Sequence, residues 1–316
     1  MLSRTADHLF WMARYTERAE NTARMLDVTF QAALLPQGNE AARRSWQAVL
    51  GISDLQAAYD AAYDKVSGKH VLDFVVRERS NPSSIAACLS CARENARAVR
   101  GSLTTEVWET LNTTWLELNS QLSAGVMHKD PGNFFEWVKY RSHLFRGVLI
   151  GTMLKDEAFY FSRLGTFLER ADNTARILDV KFHAQPHAEG RDEPDPRDFY
   201  YWAALLRSVS AFEIYRRVYR DVITPAKVAE LLMLRHDMPR SLLACLAEVN
   251  DNLSRVANDA SADTERFAGR LHADLKYARI DEILSEGLHA YLTRFLERTF
   301  ELGNRISRDF LVPGGN

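Results

Sequence analysis

Apolar residues recur at steps of three and four along most of this chain, and the alternating pattern of a half-buried β-strand is nearly absent. This spacing predicts α-helices separated by turns rich in glycine, proline and asparagine. The predicted helices cover residues 9–35, 41–66, 84–99, 106–122, 134–149, 159–184, 199–218 and 279–310. The longest break, residues 185–197, is charged and holds three prolines, so we expect an exposed loop there.

One predicted helix occurs twice in the sequence. Residues 17–28 read ERAENTARMLDV and residues 169–180 read ERADNTARILDV, so ten of twelve positions are identical. Further matches follow in the same order, including Trp46 with Trp202 and Cys88 with Cys245. We therefore predict an all-α, internally duplicated antiparallel helical bundle of roughly 10–12 helices with a pseudo-twofold relation. It would form one domain over residues 1–316, with repeats at about 1–128 and about 155–316.

The repeated helix carries polar residues on the face opposite its apolar stripe. In both copies a small residue and a valine bracket these polar groups, which is unusual for a solvated face. The two faces are Ala13, Glu17, Asn21, Arg24 and Val28, and Gly165, Glu169, Asn173, Arg176 and Val180. Because small residues let another helix approach closely, the polar groups can form a buried network.

Together with the arginine that follows each glutamate, this stripe supplies the candidate binding residues. They are Glu17, Arg18, Asn21, Arg24, Glu169, Arg170, Asn173 and Arg176. In one interpretation the stripe is structural, and Glu20–Arg24 is an i,i+4 ion pair that stabilises its helix. The second copy has the corresponding pair Asp172–Arg176. In the other interpretation the stripe lines a polar cleft, since charged groups in unusual surroundings cluster at functional sites.

A second set of polar residues gives a weaker indication of a binding site. These residues are Glu94, Asn95, Arg97 and Arg100. They lie on the predicted helix 84–99 or directly after it. They form either a solvated face or a further binding region. No phosphate-binding loop, dinucleotide fingerprint or Gly-x-Ser-x-Gly pattern is present, so the sequence assigns no catalytic residue and no cofactor.

The metal-binding patterns in the chain are incomplete. Cys88 and Cys91 have the spacing of metal ligands, but no second pair follows them. The match of Cys88 with Cys245 at a core-like position favours buried core cysteines instead. Glu286 and His289 have the Glu-x-x-His spacing of di-iron bundles, yet the second motif that such a site needs is missing. We therefore expect no metal site.

Composition and charge restrict the kind of protein further. Hydrophobic residues make up 46% of the chain and the formal net charge is −2, so no overall field attracts nucleic acid or an anionic membrane. No apolar run reaches the roughly 18–20 residues that span a bilayer. Three cysteines do not suggest a disulfide framework, and the first residues lack the pattern of a signal peptide. We expect a cytoplasmic protein and leave its oligomeric state open.

Several motifs along the chain carry a family resemblance. They are Arg14-Tyr15-x-Glu17-Arg18-Ala19-Glu20-Asn21, Asn81-Pro82-x-Ser84-Ile85, Arg93-Glu94-Asn95-Ala96-Arg97, Leu168-Glu169-Arg170-Ala171-Asp172, Ser210-Ala211-x-Glu213 and Pro239-Arg240-Ser241. In combination they resemble the alpha-E family, bacterial all-helical domains with a Glu-Arg motif, over essentially the whole chain. The resemblance implies a circularly permuted ATP-grasp ligase and a transglutaminase-like protease as partners, because family members are typically encoded or fused beside them.

Three functions follow as hypotheses from the residues and the resemblance together. The first is a non-catalytic helical partner of an ATP-grasp amide or peptide ligase, which docks the ligase or presents its substrate. Arginines of the stripe suit a carboxylate or phosphate, and glutamates suit an amine. The second is an enzyme of the same pathway, in which Glu17 and Glu169 exchange protons at pKa values split by burial and nearby arginines. The third is a structural oligomerisation module.

Overall fold

The computed structural model describes residues 1–34, 39–183 and 196–311 of the chain. Within these residues the chain forms sixteen α-helices and no β-strand, which confirms the all-α prediction and exceeds the predicted number of helices. The helices are α1 (Ser3–Ala33), α2 (Asn39–Ile52), α3 (Gln56–Asp60), α4 (Gly68–Val76), α5 (Ile85–Ala98), α6 (Thr105–Ser123), α7 (Val126–Lys129), α8 (Pro131–Thr152), α9 (Glu157–His183), α10 (Pro196–Ser208), α11 (Phe212–Tyr219), α12 (Pro225–Leu234), α13 (Leu242–Arg255), α14 (Ala262–Lys276), α15 (Ile280–Glu286) and α16 (Leu288–Phe310). The predicted loop at 185–197 lies outside the described residues, except for its last two, with which α10 begins.

Three predicted helices are each divided, because the chain turns at residues with a positive φ angle. The turns lie at Asp54 after α2, at Ser210 between α10 and α11, and at Gly287 between α15 and α16, with φ of 55°, 55° and 107°. Residues other than glycine rarely adopt this conformation, so the apolar pattern does not reveal the turns at Asp54 and Ser210. These divisions account for part of the excess of helices over the prediction.

Helices α1 and α9, which carry the two copies of the repeated motif, pack against each other at the centre of the molecule. Their contacts advance in the same direction along both helices, from Phe10 beside Gly165 to Glu17 beside Arg170, so the pair is parallel. The sequence predicted an antiparallel bundle, and the parallel packing of α1 and α9 differs from that prediction. Because the packing is parallel, corresponding residues of the two motifs lie at the same level.

Each central helix closes a ring with three further helices. The first ring is α1, α5, α6 and α8, and the second is α9, α13, α14 and α16. Helix α8 runs antiparallel to α1, since its Arg146 contacts Glu17 and its earlier Lys139 contacts the later Asp27. Helix α8 lies between the predicted bounds of the two repeats, and it packs with the first ring. Helices α2 and α10 cross between the rings, because each contacts both α1 and α9.

Gly165 sets the separation of the two central helices. A Cβ atom at this position would lie 2.2 Å from the main-chain oxygen of Phe10, so any side chain would push α1 and α9 apart. Ala13, the small residue at the start of the polar stripe of α1, is only 1% exposed. The close approach predicted from the small residues is confirmed at Gly165. It brings polar side chains of the two helices into direct contact.

Local hydrogen bonds also recur at matched positions outside the repeated motif. Ser84 and Ser241 each cap a helix, and each hydroxyl accepts from the backbone N–H three residues later, at 3.2 and 3.0 Å. Tyr59 and Tyr215 each donate a hydroxyl proton to a backbone carbonyl, at 3.0 and 2.9 Å. The two parts of the chain therefore share local structure as well as sequence at these positions.

Candidate functional site

The two Glu-Arg dipeptides of the repeated motif pair with each other across the central helices. Arg18 of α1 donates to Glu169 of α9 through Nε at 2.6 Å and Nη2 at 2.9 Å. Arg170 of α9 donates to Glu17 of α1 through the same two nitrogens, at 2.8 and 3.0 Å. Both contacts are bidentate, a strong and directional arrangement for a guanidinium and a carboxylate. The motif therefore joins α1 to α9 by two reciprocal ion pairs.

Glu17 and the neighbouring Glu20 also bind arginines from outside the Glu-Arg dipeptides. Arg240, which precedes α13, donates to Glu17 at 3.0 Å and to Glu20 at 2.6 Å. Arg146 of α8 contacts the same two carboxylates, that of Glu17 at 2.9 Å. Arg24, one turn further along α1, donates to Glu20 at 2.8 Å. One pair of carboxylates thus holds together α1, α8, α9 and the start of α13.

Glu169 has two arginines of its own, both on α1. Besides Arg18, Arg14 donates to it through Nε at 2.8 Å, and the Arg14 guanidinium lies 5.0 Å from the centre of the Trp11 ring. We use the name charge network for the three carboxylates and their arginines, namely Glu17, Glu20, Glu169, Arg14, Arg18, Arg24, Arg146, Arg170 and Arg240. Six guanidinium groups against three carboxylates leave an excess of three positive charges.

The carboxylates of the charge network are ionised at neutral pH. Burial by itself would raise the pKa of Glu169, but the adjacent Arg18 and Arg14 lower that pKa to about 2. Burial opposes ionisation of Glu17 and Glu20 in the same way, and again the surrounding guanidinium groups prevail, so the pKa of each lies below its usual value. The network is therefore an assembly of charged groups rather than of neutral hydrogen-bonding partners.

These pKa shifts bear on the hypothesis that Glu17 and Glu169 exchange protons. A general acid or base works best when its pKa lies near the operating pH. The pKa values of both carboxyls are lowered instead of being split, and the two residues are 1% and 4% exposed. Both carboxylates are also held by two or more arginines. The geometry favours a structural role for them.

The charge network reaches the protein surface beside α8 and α10. Arg24 donates through Nη1 to Ser210 Oγ at 2.5 Å, and its Nη2 lies 3.1 Å from Nε2 of His143. Nη2 of Arg146 lies 2.7 Å from Nδ1 of the same ring. His143 and Ser210 are exposed, and the Arg146 side chain is 19% exposed. We call Arg24, His143, Arg146 and Ser210 the surface rim of the network.

Six of the eight predicted binding residues lie in or against the charge network. Its members among them are Glu17, Arg18, Arg24, Glu169 and Arg170, and Asn21 accepts a hydrogen bond from Arg240 at 2.9 Å. Asn173 and Arg176 lie outside it. Arg176 pairs with Asp172 of its own helix at 2.8 Å, as the i,i+4 spacing predicts, and the corresponding Glu20–Arg24 pair is confirmed as well.

The weaker candidates lie on or just after α5 and contact other partners. They are Glu94, Asn95, Arg97 and Arg100. Glu94 and Arg97 pair with each other at the surface, at 2.5 Å. Asn95 Oδ1 lies 2.7 Å from Nδ1 of His8, and the Arg100 guanidinium lies 5.4 Å from the Trp108 ring. The hydrogen bonds and ion pairs of these four residues within the described chain do not reach the charge network.

Sequence reasoning missed the residues that complete the network around the polar stripe. They are Arg14, Glu20 as a shared acceptor, His143, Arg146, Ser210 and Arg240. Arg240 occupies a position that Ser83 fills in the matching segment Pro82–Ser84, so an arginine in one copy alone was a usable signal. His143 and Arg146 follow the ordinary amphipathic pattern of α8, which does not distinguish them from solvated residues.

Three further expectations concern cysteines, metals and membranes. Cys88 and Cys245 are buried, which confirms the core interpretation, and Cys91 is partly buried. Within the described ranges, we find no group of three or more His, Cys, Asp or Glu residues that could hold a metal ion. The helices of those ranges also include none that is both long and apolar enough to cross a membrane.

The model of a family called Alpha-E, a predicted alpha-helical domain with a conserved ER motif, matches residues 1–311. Uncharacterized proteins of Mycobacterium bovis and Mycobacterium tuberculosis are 25% identical over 321 residues, an alignment that covers 93% of this chain. The chain spans only 35% of the length of these curated relatives. No solved structure matches.

Proposed function

Because this chain belongs to the Alpha-E family, we propose that it is a non-catalytic helical partner of an ATP-grasp amide or peptide ligase. It docks the ligase or presents the ligase's carboxylate or amine substrate. The resemblance described above supports this partner, since Alpha-E proteins are typically encoded or fused beside such ligases. A transglutaminase-like protease is the second partner on the same ground, and a cytoplasmic location belongs to the same proposal.

The observation that carries the non-catalytic role is the reciprocal pairing of the two Glu-Arg dipeptides. Glu17 and Glu169 are buried, ionised and held by bidentate arginines between two helical rings. A carboxylate in this setting stabilises the packing of helices and is poorly suited to exchange protons. The motif is therefore better explained as a set of ion pairs that holds the two central helices together than as a pair of acid–base groups.

The length of the relatives supports a role beside other domains. The mycobacterial relatives contain this unit as 35% of a longer chain. A helical unit that forms part of a longer protein is well placed to position substrates or neighbouring domains. A protein that docks a ligase or presents its substrate needs to be placed beside other domains in this way.

We also infer that the chain arose by internal duplication and that a pseudo-twofold axis runs along the central helices. Parallel packing of α1 and α9, reciprocal ion pairs and two rings assembled in the same order support this inference. An experimental structure tests it by superposition. A rotation of about 180° should place α5, α6 and α8 on α13, α14 and α16, and failure to superpose them would contradict the inference.

Co-expression with an ATP-grasp ligase encoded in the same genome tests the partnership. We expect the two proteins to purify together, and we expect the rate of the ligase to fall when this chain is omitted. A purified ligase that works equally well alone would contradict the proposal.

The variant Glu17→Gln separates a scaffold from an enzyme in the same assay. Because it breaks the charge network, it should lower the melting temperature and the ligase rate together. Loss of turnover at an unchanged melting temperature would show instead that Glu17 acts as an acid–base group. Glu94→Gln is the matched control. Because this variant removes only an exposed ion pair, the melting temperature and the ligase rate should stay nearly unchanged.

A further inference from the structure

The part of the charge network around Glu17 and Glu20 has more donors than acceptors. Four guanidinium groups surround these two carboxylates, namely those of Arg24, Arg146, Arg170 and Arg240. The resulting excess of two positive charges lies among buried or largely buried side chains, where charge without a partner is costly. Asn21 adds another donor, because its buried Nδ2 has no acceptor among the described residues.

The shortage of acceptors is sharpest at His143. Its two ring nitrogens face Nη2 of Arg24 at 3.1 Å and Nη2 of Arg146 at 2.7 Å. A neutral imidazole has only one acceptor nitrogen, so one of these contacts sets a donor against a donor. Burial lowers the pKa of His143, and although Glu20 acts against this, Arg146 and Arg24 lower the pKa further. Protonation, which would leave no acceptor at all, is therefore disfavoured. The ring therefore satisfies only one of the two arginines.

The place between these arginines is accessible from solvent. His143 is exposed on α8, so its ring can turn outward without disturbing the core. Ser210 is exposed on the other side and accepts a hydrogen bond from Arg24 at 2.5 Å. Its hydroxyl proton has no acceptor among the described residues. Ser210 lies in the turn between α10 and α11, where its φ is 55°.

The matched position on α9 has no such excess of positive charge. Arg176, which corresponds to Arg24, pairs with Asp172 at 2.8 Å. Burial lowers the pKa of Arg176, but Asp172 and, more weakly, Asp54 and Glu169 together raise it by more, so three carboxylates act on this one guanidinium. Asp54 has the same φ as Ser210. Because carboxylates already satisfy its charge, Arg176 is an internal control for the surface rim.

We propose that the surface rim binds an oxyanion with two negative charges, a phosphate or a dicarboxylate, between the guanidinium groups of Arg24 and Arg146. The anion replaces the ring of His143, which turns into solvent, and accepts the hydroxyl proton of Ser210. Its oxygens supply the missing acceptors, and its charge balances the excess of two. The site recognises a charged group of a ligand, and it exists whether or not the ligase is the partner.

Isothermal titration of the full chain at constant ionic strength tests the site. The probes are inorganic phosphate, at a pH where it is a dianion, and succinate, with acetate as the singly charged comparison. We expect phosphate or succinate to bind with a Kd of about 1 mM or tighter, and acetate to bind at least about tenfold more weakly. Binding of phosphate alone would identify a phosphoryl ligand, and binding of succinate alone would identify a dicarboxylate ligand. Either result supports the site. Absence of binding by both dianions up to about 10 mM would overturn it.

Variants locate the binding. Arg146→Gln should weaken binding by about tenfold or more, whereas Arg176→Gln, the matched control, should leave it unchanged. Because Arg146 also holds Glu17 and Glu20, a second variant guards against loss of folding. His143→Ala removes an exposed side chain that competes with the anion, so it should tighten binding several-fold. Unchanged binding by Arg146→Gln, or loss of binding by a folded His143→Ala, would contradict the proposed site.

Discussion

Glu17 accepts hydrogen bonds from Nε and Nη2 of Arg170 at 2.8 and 3.0 Å, across the buried contact of two parallel helices. In neither copy does the glutamate pair with the arginine that follows it, which points about 100° away around the helix. Parallel packing brings an identical dipeptide to the same level, and each glutamate then meets the other copy's arginine. The reciprocal pairing follows from the repeat and from the direction of packing together.

Removing one carboxylate should destabilise the fold strongly. Glu17→Gln leaves Arg170, Arg240 and Arg146 without their shared partner in a buried site. We expect a loss of about 3–5 kcal/mol in the free energy of unfolding, measured by chemical denaturation. The exposed Glu94→Gln control should lose no more than about 1 kcal/mol. Equal losses in the two variants would show that the network contributes nothing beyond a surface ion pair.

Adding one methyl group at the helix contact should have a comparable effect. Gly165→Ala places a Cβ atom 2.2 Å from the backbone oxygen of Phe10, and the backbone can yield only by separating α1 from α9. We expect a destabilisation of about 3 kcal/mol or more. Gly147→Ala on α8 is the matched control, because no atom lies within 4 Å of its Cβ and alanine favours a helix by about 1 kcal/mol. A tolerated Gly165→Ala would contradict the close packing.

Some of these features could be predicted from the sequence, because they are local. Helical periodicity gives the all-α class, and the i,i+4 spacing gives the Glu20–Arg24 pair. Gly165 indicates a close helix contact on its own, since a small residue at the start of a polar face has few other uses. Each of these predictions rests on residues within one or two turns of a helix.

Other features depend on tertiary contacts that one sequence does not reveal. Nothing in the motif specifies that α1 and α9 run parallel, although this direction decides which residues meet. Arg146 comes from α8 and Arg240 from a turn, 129 and 223 positions away from Glu17. Ser210, which accepts from Arg24, lies in a turn where the chain takes a positive φ, a conformation that serine seldom adopts.

Acid should destabilise the protein through the network. The pKa of Glu169 is about 2 in the folded chain against 4.5 as its ordinary value, so this carboxyl binds its proton more readily when the chain is unfolded. Its stabilising contribution is complete above pH 4.5 and is lost as pH falls from there to about 2. Denaturation curves across this range should show a contribution of about 3 kcal/mol that Glu169→Gln lacks. Parallel pH profiles of the two proteins would contradict the lowered pKa.

The three cysteines should differ in reactivity. Burial raises the pKa of Cys88 and of Cys245 to about 12, and neither thiol is exposed, whereas Cys91 is partly exposed. Iodoacetamide followed by mass spectrometry should label Cys91 first in the native protein and all three cysteines in urea. Labelling of Cys88 or Cys245 as fast as Cys91 in the native protein would place them outside the core.

The most direct measurement of the reciprocal pairing is a double-mutant cycle on Arg18 and Glu169. The free energy of unfolding is determined for the wild type, Arg18→Gln, Glu169→Gln and the double variant. If the two side chains join α1 to α9, the double variant should lose about 1–3 kcal/mol less than the sum of the single losses. Additive losses, within about 0.5 kcal/mol, would show that the Glu-Arg motif does not pair across the central helices.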